Sequence, residues 1–162
     1  MPKIIILSRG TMFVADVMLK KLARWMRIFG IDVIYPDFED DCKIMGLARE
    51  KGRILLTMDR ELVQRAKKKG VRVFLVPKGS EEEQLKAVMK EFGIKIKFPE
   101  ETLCPQCNGE LKLAKRNEVA DKVLESVLQR HEWFWVCMGC GKVYWKGSHW
   151  RRIMQMADKV CK

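Results

Sequence analysis

Two Cys-x-x-Cys segments restrict this chain more than any other feature: Cys104-Pro105-Gln106-Cys107 and Cys137-Met138-Gly139-Cys140. Two thiolates separated by two residues reach one metal only through a tight turn. The small residues that follow, Asn108-Gly109 and Gly141, permit that turn and let backbone N–H groups point at the sulfurs. Four thiolates close a tetrahedral site and leave no position for a substrate. The spacing therefore predicts a structural Zn²⁺ in a zinc ribbon, held by Cys104, Cys107, Cys137 and Cys140, with an iron centre as the rival for the same sulfurs. The stretch 108–136 is longer than the usual gap between such pairs, so the chain must leave the site and return. Cys42 and Cys161 stand alone and read as ordinary thiols, and no disulfide framework is expected.

Upstream of the cysteines, apolar segments at 12–15, 31–35, 54–57 and 71–76 alternate with helical stretches at 17–29, about 40–51, 60–69 and 80–92. The helical stretches stop at Gly30, Gly52, Gly70 and Gly93, and the last opens on Ser80 with Glu83 three residues on, a capping box. This alternation predicts an α/β fold, a parallel sheet with helices on both faces. The apolar run 3–7 (KIIIL) has no assigned place. After residue 93 the pattern changes, which puts a boundary near 98–102, with one domain over 1–98 and the ribbon over 102–162. Val119, Val123, Leu124 and Val127 suggest a helix over 117–131.

No apolar run approaches the roughly 20 residues of a membrane span. The opening run is too short for a secretory leader and Arg9 follows it, so a cytoplasmic location is expected. The net charge is +11, and the basic excess is present on both sides of residue 100. That balance predicts a polyanionic partner, most often nucleic acid, against the plainer reading of surface solubility. Two patches are concentrated: Lys67-Lys68-Lys69, and Lys146, Arg151 and Arg152 among Tyr144, Trp145, His149 and Trp150. Trp145 and Trp150 are the stacking candidates there. On the first helix, Met18, Leu22, Trp25 and Phe29 form the stripe expected to face the core. Lys20, Arg24 and Arg27 lie opposite, and would either hold phosphates or be a solvated face.

Asp16 ends the first strand and Asp59, in Thr57-Met58-Asp59, ends the third. Open α/β sheets place their ligands at this C-terminal edge. Asp40 and Asp41 begin the second long helix, after Asp37 and Glu39. Singly, each of these acids reads as a turn residue or helix cap. Jointly, carboxylates from adjacent strand ends and a helix start would repel one another unless a divalent cation joined them. Oxygen-only ligands suit Mg²⁺ or Mn²⁺, which could activate water for attack on a phosphodiester.

The stretches FVAD-x-ML-x-x-LARWMRIFG-x-D and DD-x-x-x-x-x-LAREKGRILLTMDREL resemble the PIN-like ribonuclease domain of the Mut-seven C-terminal RNase family. CPQCNGEL and C-x-x-CGKVYWKGSHWRR resemble that family's zinc ribbon, so the likeness covers roughly 12–152. The resemblance implies a PIN-like fold, divalent-metal-dependent RNA cleavage and cytoplasmic members. Carried over by position, Asp16 matches the first-strand acid, Asp59 the T-x-D acid and Asp41 the helix-start acid. Asp40 is its neighbouring candidate, and Glu61 falls near a fourth acid. Val17-Met18 after Asp16 and the lead-in 1–11 depart from the family pattern.

The function expected is a metal-dependent endoribonuclease with catalytic Asp16, Asp41 and Asp59, acting on RNA such as tRNA or rRNA, its ribbon assisting RNA binding. The alternatives are a non-catalytic RNA- or ribosome-binding protein, and an rRNA-processing nuclease, whose zinc ribbons lack the GKVYWKGSHW run.

Overall fold

A computed structural model of the chain describes residues 11–96 and 98–162. The apolar run 3–7 lies outside these residues. Four short parallel strands form the first sheet: β1 (Phe13–Ala15), β2 (Val33–Ile34), β3 (Ile54–Thr57) and β4 (Val73–Leu75), in the order β2-β1-β3-β4. Helices α1 (Lys20–Ile28), α2 (Asp41–Glu50), α3 (Arg60–Lys68) and α4 (Glu81–Phe92) alternate with them. Strand alternation sends Phe13 and Ala15 to one face and Val14 to the other. Phe13, Leu56, Leu22, Met26, Leu85 and Val88 fill the core beneath α1 and α4. Val14, Leu55, Ile44, Ala48, Leu62 and Ala66 fill the core beneath α2 and α3. The expected parallel sheet with helices on both faces is present.

The expected start of helix 17–29 is a 3-10 turn, Val17–Leu19, before α1. Met18 consequently points outward and is 63% exposed, not part of the core stripe. The Ser80 box forms: the Glu83 N–H donates to Ser80 Oγ at 3.3 Å, and the Ser80 N–H donates to Glu83 Oε2 at 2.7 Å. After α1 the chain turns at Gly30, with φ +78°. A Cβ there would meet the Glu101 carbonyl oxygen at 2.4 Å, so glycine is needed for both the turn and the approach of the second unit.

The second unit is a three-stranded antiparallel sheet of β5 (Leu111–Lys115), β6 (Trp133–Cys137) and β7 (Val143–Tyr144). The expected helix 117–131 is replaced by a 3-10 turn at Arg116–Glu118 and the single-turn α5 (Glu125–Leu128). Valine loses rotamer freedom in a helix. Here successive turns bury Val119 and Leu128 against Phe134 and Ala114, while Leu124 points to solvent at 76% exposure. The last element, α6 (Trp150–Val160), returns to the first unit, where Ala157 and Val160 join the core beneath α4. The core of the first unit therefore includes residues from beyond the expected boundary at 98–102.

Candidate active site and metal centre

Asp16 follows β1 directly and is 5% exposed. Its Oδ1 accepts the Val17 N–H at 2.6 Å and its Oδ2 accepts the Thr57 hydroxyl at 2.9 Å. Thr57 ends the neighbouring β3, and its Oγ1 accepts the Asp59 N–H at 3.0 Å. One hydroxyl thus links the Asp16 carboxylate to the backbone of Asp59. The Asp59 carboxylate caps α3, accepting the Glu61 N–H at 2.8 Å. Glu61 itself is exposed.

The two candidates at the start of α2 separate by role. Asp40 is the N-cap, its Oδ1 accepting the Lys43 N–H at 3.0 Å. Asp41, in the first turn, forms an ion pair with Arg65 of α3. The hydrogen bond that Arg65 donates to the Asp41 carboxylate raises the Arg65 pKa, with smaller contributions from the charges of Asp41 and Asp59, so this guanidinium sits in the field of both acids. Asp37 and Glu39, with Val17, Met18, Tyr35 and Pro36, line an open cleft of about 350 Å³ next to this edge. Asp16 and Asp59 lie just past the ends of the neighbouring strands β1 and β3, Asp41 opens α2, and each is engaged by a protein partner. Among the described residues, the cysteines are the group of three or more potential ligands gathered within 4.8 Å of one another.

The four sulfurs fit a tetrahedral ion. Cys104 Sγ lies 3.7 Å from Cys140 Sγ, and Cys107 Sγ lies 3.3 Å from Cys137 Sγ. A Zn–S bond of about 2.3 Å implies S···S edges of about 3.8 Å. A Cβ on Gly109 would fall 2.9 Å from Cys137 Sγ and 3.1 Å from Cys107 Sγ, so this position admits no side chain. Asn108 takes a left-handed turn at φ 68°. Burial works to keep the Cys137 thiol protonated. The Cys140 N–H, the Cys107 thiol and the Gly139 N–H outweigh it and lower the pKa to about 6, while burial and the hydrogen bond with Cys137 push the Cys107 thiol up, so the pair favours a single thiolate on Cys137. The Tyr144 hydroxyl lies 3.1 Å from Cys104 Sγ and supports the site from outside.

Arg27 is the clearest correction to the sequence reading. The expected phosphate-binding stripe of Lys20, Arg24 and Arg27 leaves Lys20 and Arg24 exposed, but Arg27 is 6% exposed. Its Nε donates to the Val33 carbonyl at 3.0 Å, and its Nη1 to the carbonyls of Pro105 and Gln106 at 3.1 and 3.2 Å. Burial lowers its pKa against the raising influence of Cys104, Cys107 and Asp32. The guanidinium therefore fastens the first Cys-x-x-Cys turn to the parallel sheet and is unavailable to RNA. Asn108 adds to this joint: its Oδ1 accepts the Val33 N–H at 3.1 Å, and its Nδ2 donates to Asp32 at 2.8 Å.

The aromatic and basic residues near the C-terminus do not form one patch. Trp145 meets Phe134 edge-on at 6.3 Å, whereas Trp150 stacks on Trp135 at 6.4 Å. Phe134 and Trp135 are consecutive in β6 and point to opposite faces. Arg151 and Arg152 are both exposed, and Arg152 lies over the Trp25 ring of α1 at 5.9 Å.

A family model described as the Mut7-C RNAse domain matches residues 11–157. The chain belongs to the Mut7-C RNAse family. No curated protein and no solved structure matches it. Membership marks the chain as a ribonuclease-type domain with RNA as its substrate class. The matched span runs from β1 into α6, so the ribbon lies within the Mut7-C unit and is not an appendage to it. Among the described residues, no helix is long and apolar enough to cross a membrane.

Three contributors escaped the sequence reading. Arg65 carried no signal beyond a basic helix face. Thr57 was visible only as part of the T-x-D element. Helix α6 was legible in principle, because Ile153, Met156, Ala157 and Val160 recur at helical spacing.

Proposed function

We propose that this Mut7-C protein is a divalent-metal-dependent endoribonuclease that hydrolyses RNA phosphodiester bonds at the C-terminal edge of its parallel sheet. The observation that carries the reading is the Asp16–Thr57–Asp59 chain, in which the Thr57 hydroxyl donates to the Asp16 carboxylate and accepts the backbone N–H of Asp59 at the neighbouring strand end. A carboxylate buried as deeply as Asp16 is costly unless hydrogen bonds or a cation stabilise its charge. Thr57 and the Val17 N–H supply two such bonds and fix the orientation of the group. Asp16, Asp41 and Asp59 are the residues to hold Mg²⁺ or Mn²⁺, with Asp40 left as the cap of α2. The ion would supply Lewis acidity at a phosphoryl oxygen and a water of lowered pKa. Lys20 and Arg24 follow Asp16 on an exposed face, where they can draw RNA phosphates toward this edge. The four cysteines hold structural zinc, the ribbon assists RNA binding, and the protein acts in the cytoplasm.

A second reading is favoured by the Asp41–Arg65 pair, which neutralises one acid without metal. On that reading the chain binds RNA or the ribosome and cuts nothing. An rRNA-processing nuclease is a variant of the first reading. Cleavage of a labelled structured RNA separates the two: EDTA should abolish it and Mn²⁺ or Mg²⁺ should restore it. Cleavage that persists in EDTA would exclude the metal-dependent reading, and binding without cleavage in any divalent ion would favour the second.

A further inference from the structure

The antiparallel sheet has two unlike faces. Ala114, Phe134, Val136 and Val143 point into the small core with Val119 and Leu128. Alternation places Leu113, Lys115, Trp133 and Trp135 on the other face, with Leu113 opposite Trp135 and Lys115 opposite Trp133. One end of this face is covered. Trp150 stacks on Trp135, and Lys146 Nζ lies 4.8 Å from the Trp150 centroid and 5.9 Å from that of Trp135. The rest of the face is open: Trp133 is 45% exposed, and Leu113, across from Trp135, is 50% exposed. Lys115 Nζ lies 5.6 Å from the Trp133 centroid.

We infer that Trp133, flanked by Leu113 and Lys115, is a stacking platform for an unpaired base of RNA, with Lys115 taking the adjoining phosphate. An indole on a rigid strand offers a flat π surface at little cost in ordering. Stacking of a base on such a ring contributes about 1–3 kcal/mol. Bases inside a duplex already stack on one another and cannot present a face, so the platform selects single-stranded segments. Its charge agrees with this occupant: the cations beside the indoles are Lys115 and Lys146, in a chain of net charge +11. A purely apolar partner would gain nothing from them. The inference rests on the RNA-binding part of the proposed function and gives that binding a place and a ligand class. It also moves the ribbon's leading contact from Trp145 and Trp150 to Trp133.

The test uses the full chain, zinc-loaded, in buffer without Mg²⁺ or Mn²⁺, so that cleavage does not intervene. Fluorescence anisotropy follows a labelled oligouridylate and a duplex RNA of equal length. Trp133→Ala should weaken oligouridylate binding about 10- to 100-fold, Trp133→Phe should retain most of it, and duplex binding should not change. Zinc content and melting curves confirm that the variants are folded. An unchanged oligouridylate affinity in Trp133→Ala, or an equal loss on the duplex, overturns the platform. So does a concentration-dependent dimer that Trp133→Ala abolishes while RNA affinity stays, which would make a second copy the occupant. A wild type that binds neither RNA removes the platform and the RNA reading together. Loss of oligouridylate binding in Trp133→Ala by a protein that cuts no RNA supports the platform and removes only the nuclease chemistry.

Discussion

The carbonyl oxygen of Pro105, inside the first Cys-x-x-Cys turn, accepts a hydrogen bond at 3.1 Å from the guanidinium of Arg27 in the last turn of α1. The same side chain holds the Val33 carbonyl on β2. A charged fork among three carbonyls, in the field of Cys104 and Cys107, is a joint, and it couples the cysteine cluster to the sheet that carries the acids.

Removing that joint should be expensive. Arg27→Ala leaves the Val33, Pro105 and Gln106 carbonyls without this donor in a largely buried place, at a cost on the order of 3 kcal/mol. Urea unfolding should show the loss, with Arg27→Lys recovering only part of it because one ammonium cannot reproduce the fork. RNA affinity of the folded Arg27→Ala protein should match wild type. Lost affinity at unchanged stability would return Arg27 to the RNA-binding stripe.

The zinc prediction extends further than the ribbon. Protein purified without added metal should carry about one zinc per chain, since a closed Cys₄ site binds strongly. Cys104→Ser should lose it. Hydrogen exchange should then rise over the ribbon and also at Val33 and the end of α1, which Arg27 and Asn108 join to the turn. Increased exchange confined to residues after 102 would show the two units to be uncoupled.

Lys20 and Arg24 are exposed, unlike Arg27, and are the residues proposed to meet RNA phosphates. Lys20→Ala/Arg24→Ala should weaken RNA binding and reduce the slope of log affinity against log salt by about 1–2, as expected for one or two lost phosphate contacts. Melting should not change. An unaltered slope would leave the pair as a solvated face.

The capping box gives a pH signature. Backbone and side-chain hydrogen bonds from Ser80 hold the Glu83 pKa below its ordinary value. A depressed carboxylate contributes its stability above the unfolded-state pKa and loses it as pH falls through the folded one. Ser80→Ala should therefore lower Tm by about 2–4 °C near neutrality, and the difference should shrink below about pH 4. A difference that grows on acidification would contradict the sign.

What the sequence revealed and what it hid follow one rule. Local signals were readable: the glycine stops, the Ser80 cap, the strand–helix alternation and the cysteine spacing are each fixed within a few residues. Long-range partners were not. Arg27 at helical spacing from Lys20 and Arg24 looks solvated until Pro105 and Gln106, far along the chain, are brought onto it. Trp150 resembles an exposed stacking residue until Phe98 and Trp135 close around it, at 5.3 and 6.4 Å. The separate partners of Asp40 and Asp41, the Lys43 N–H and Arg65 of the next helix, are likewise seen only once the chain is folded. The acids were legible as a set, but the Thr57 hydroxyl that links the Asp16 carboxylate to the Asp59 backbone has no periodicity to betray it.

The central claim is that Asp16, Asp41 and Asp59 act together on RNA. The measurement is the single-turnover cleavage rate of a labelled structured RNA in Mn²⁺, for wild type and the Asp16→Asn, Asp41→Asn and Asp59→Asn proteins, with zinc content and melting recorded alongside. Each Asn variant should stay folded, keep its zinc and lose on the order of 10²-fold or more in rate, because charge stabilisation and water activation fail together. A folded, zinc-loaded variant that cuts as fast as wild type would contradict the account.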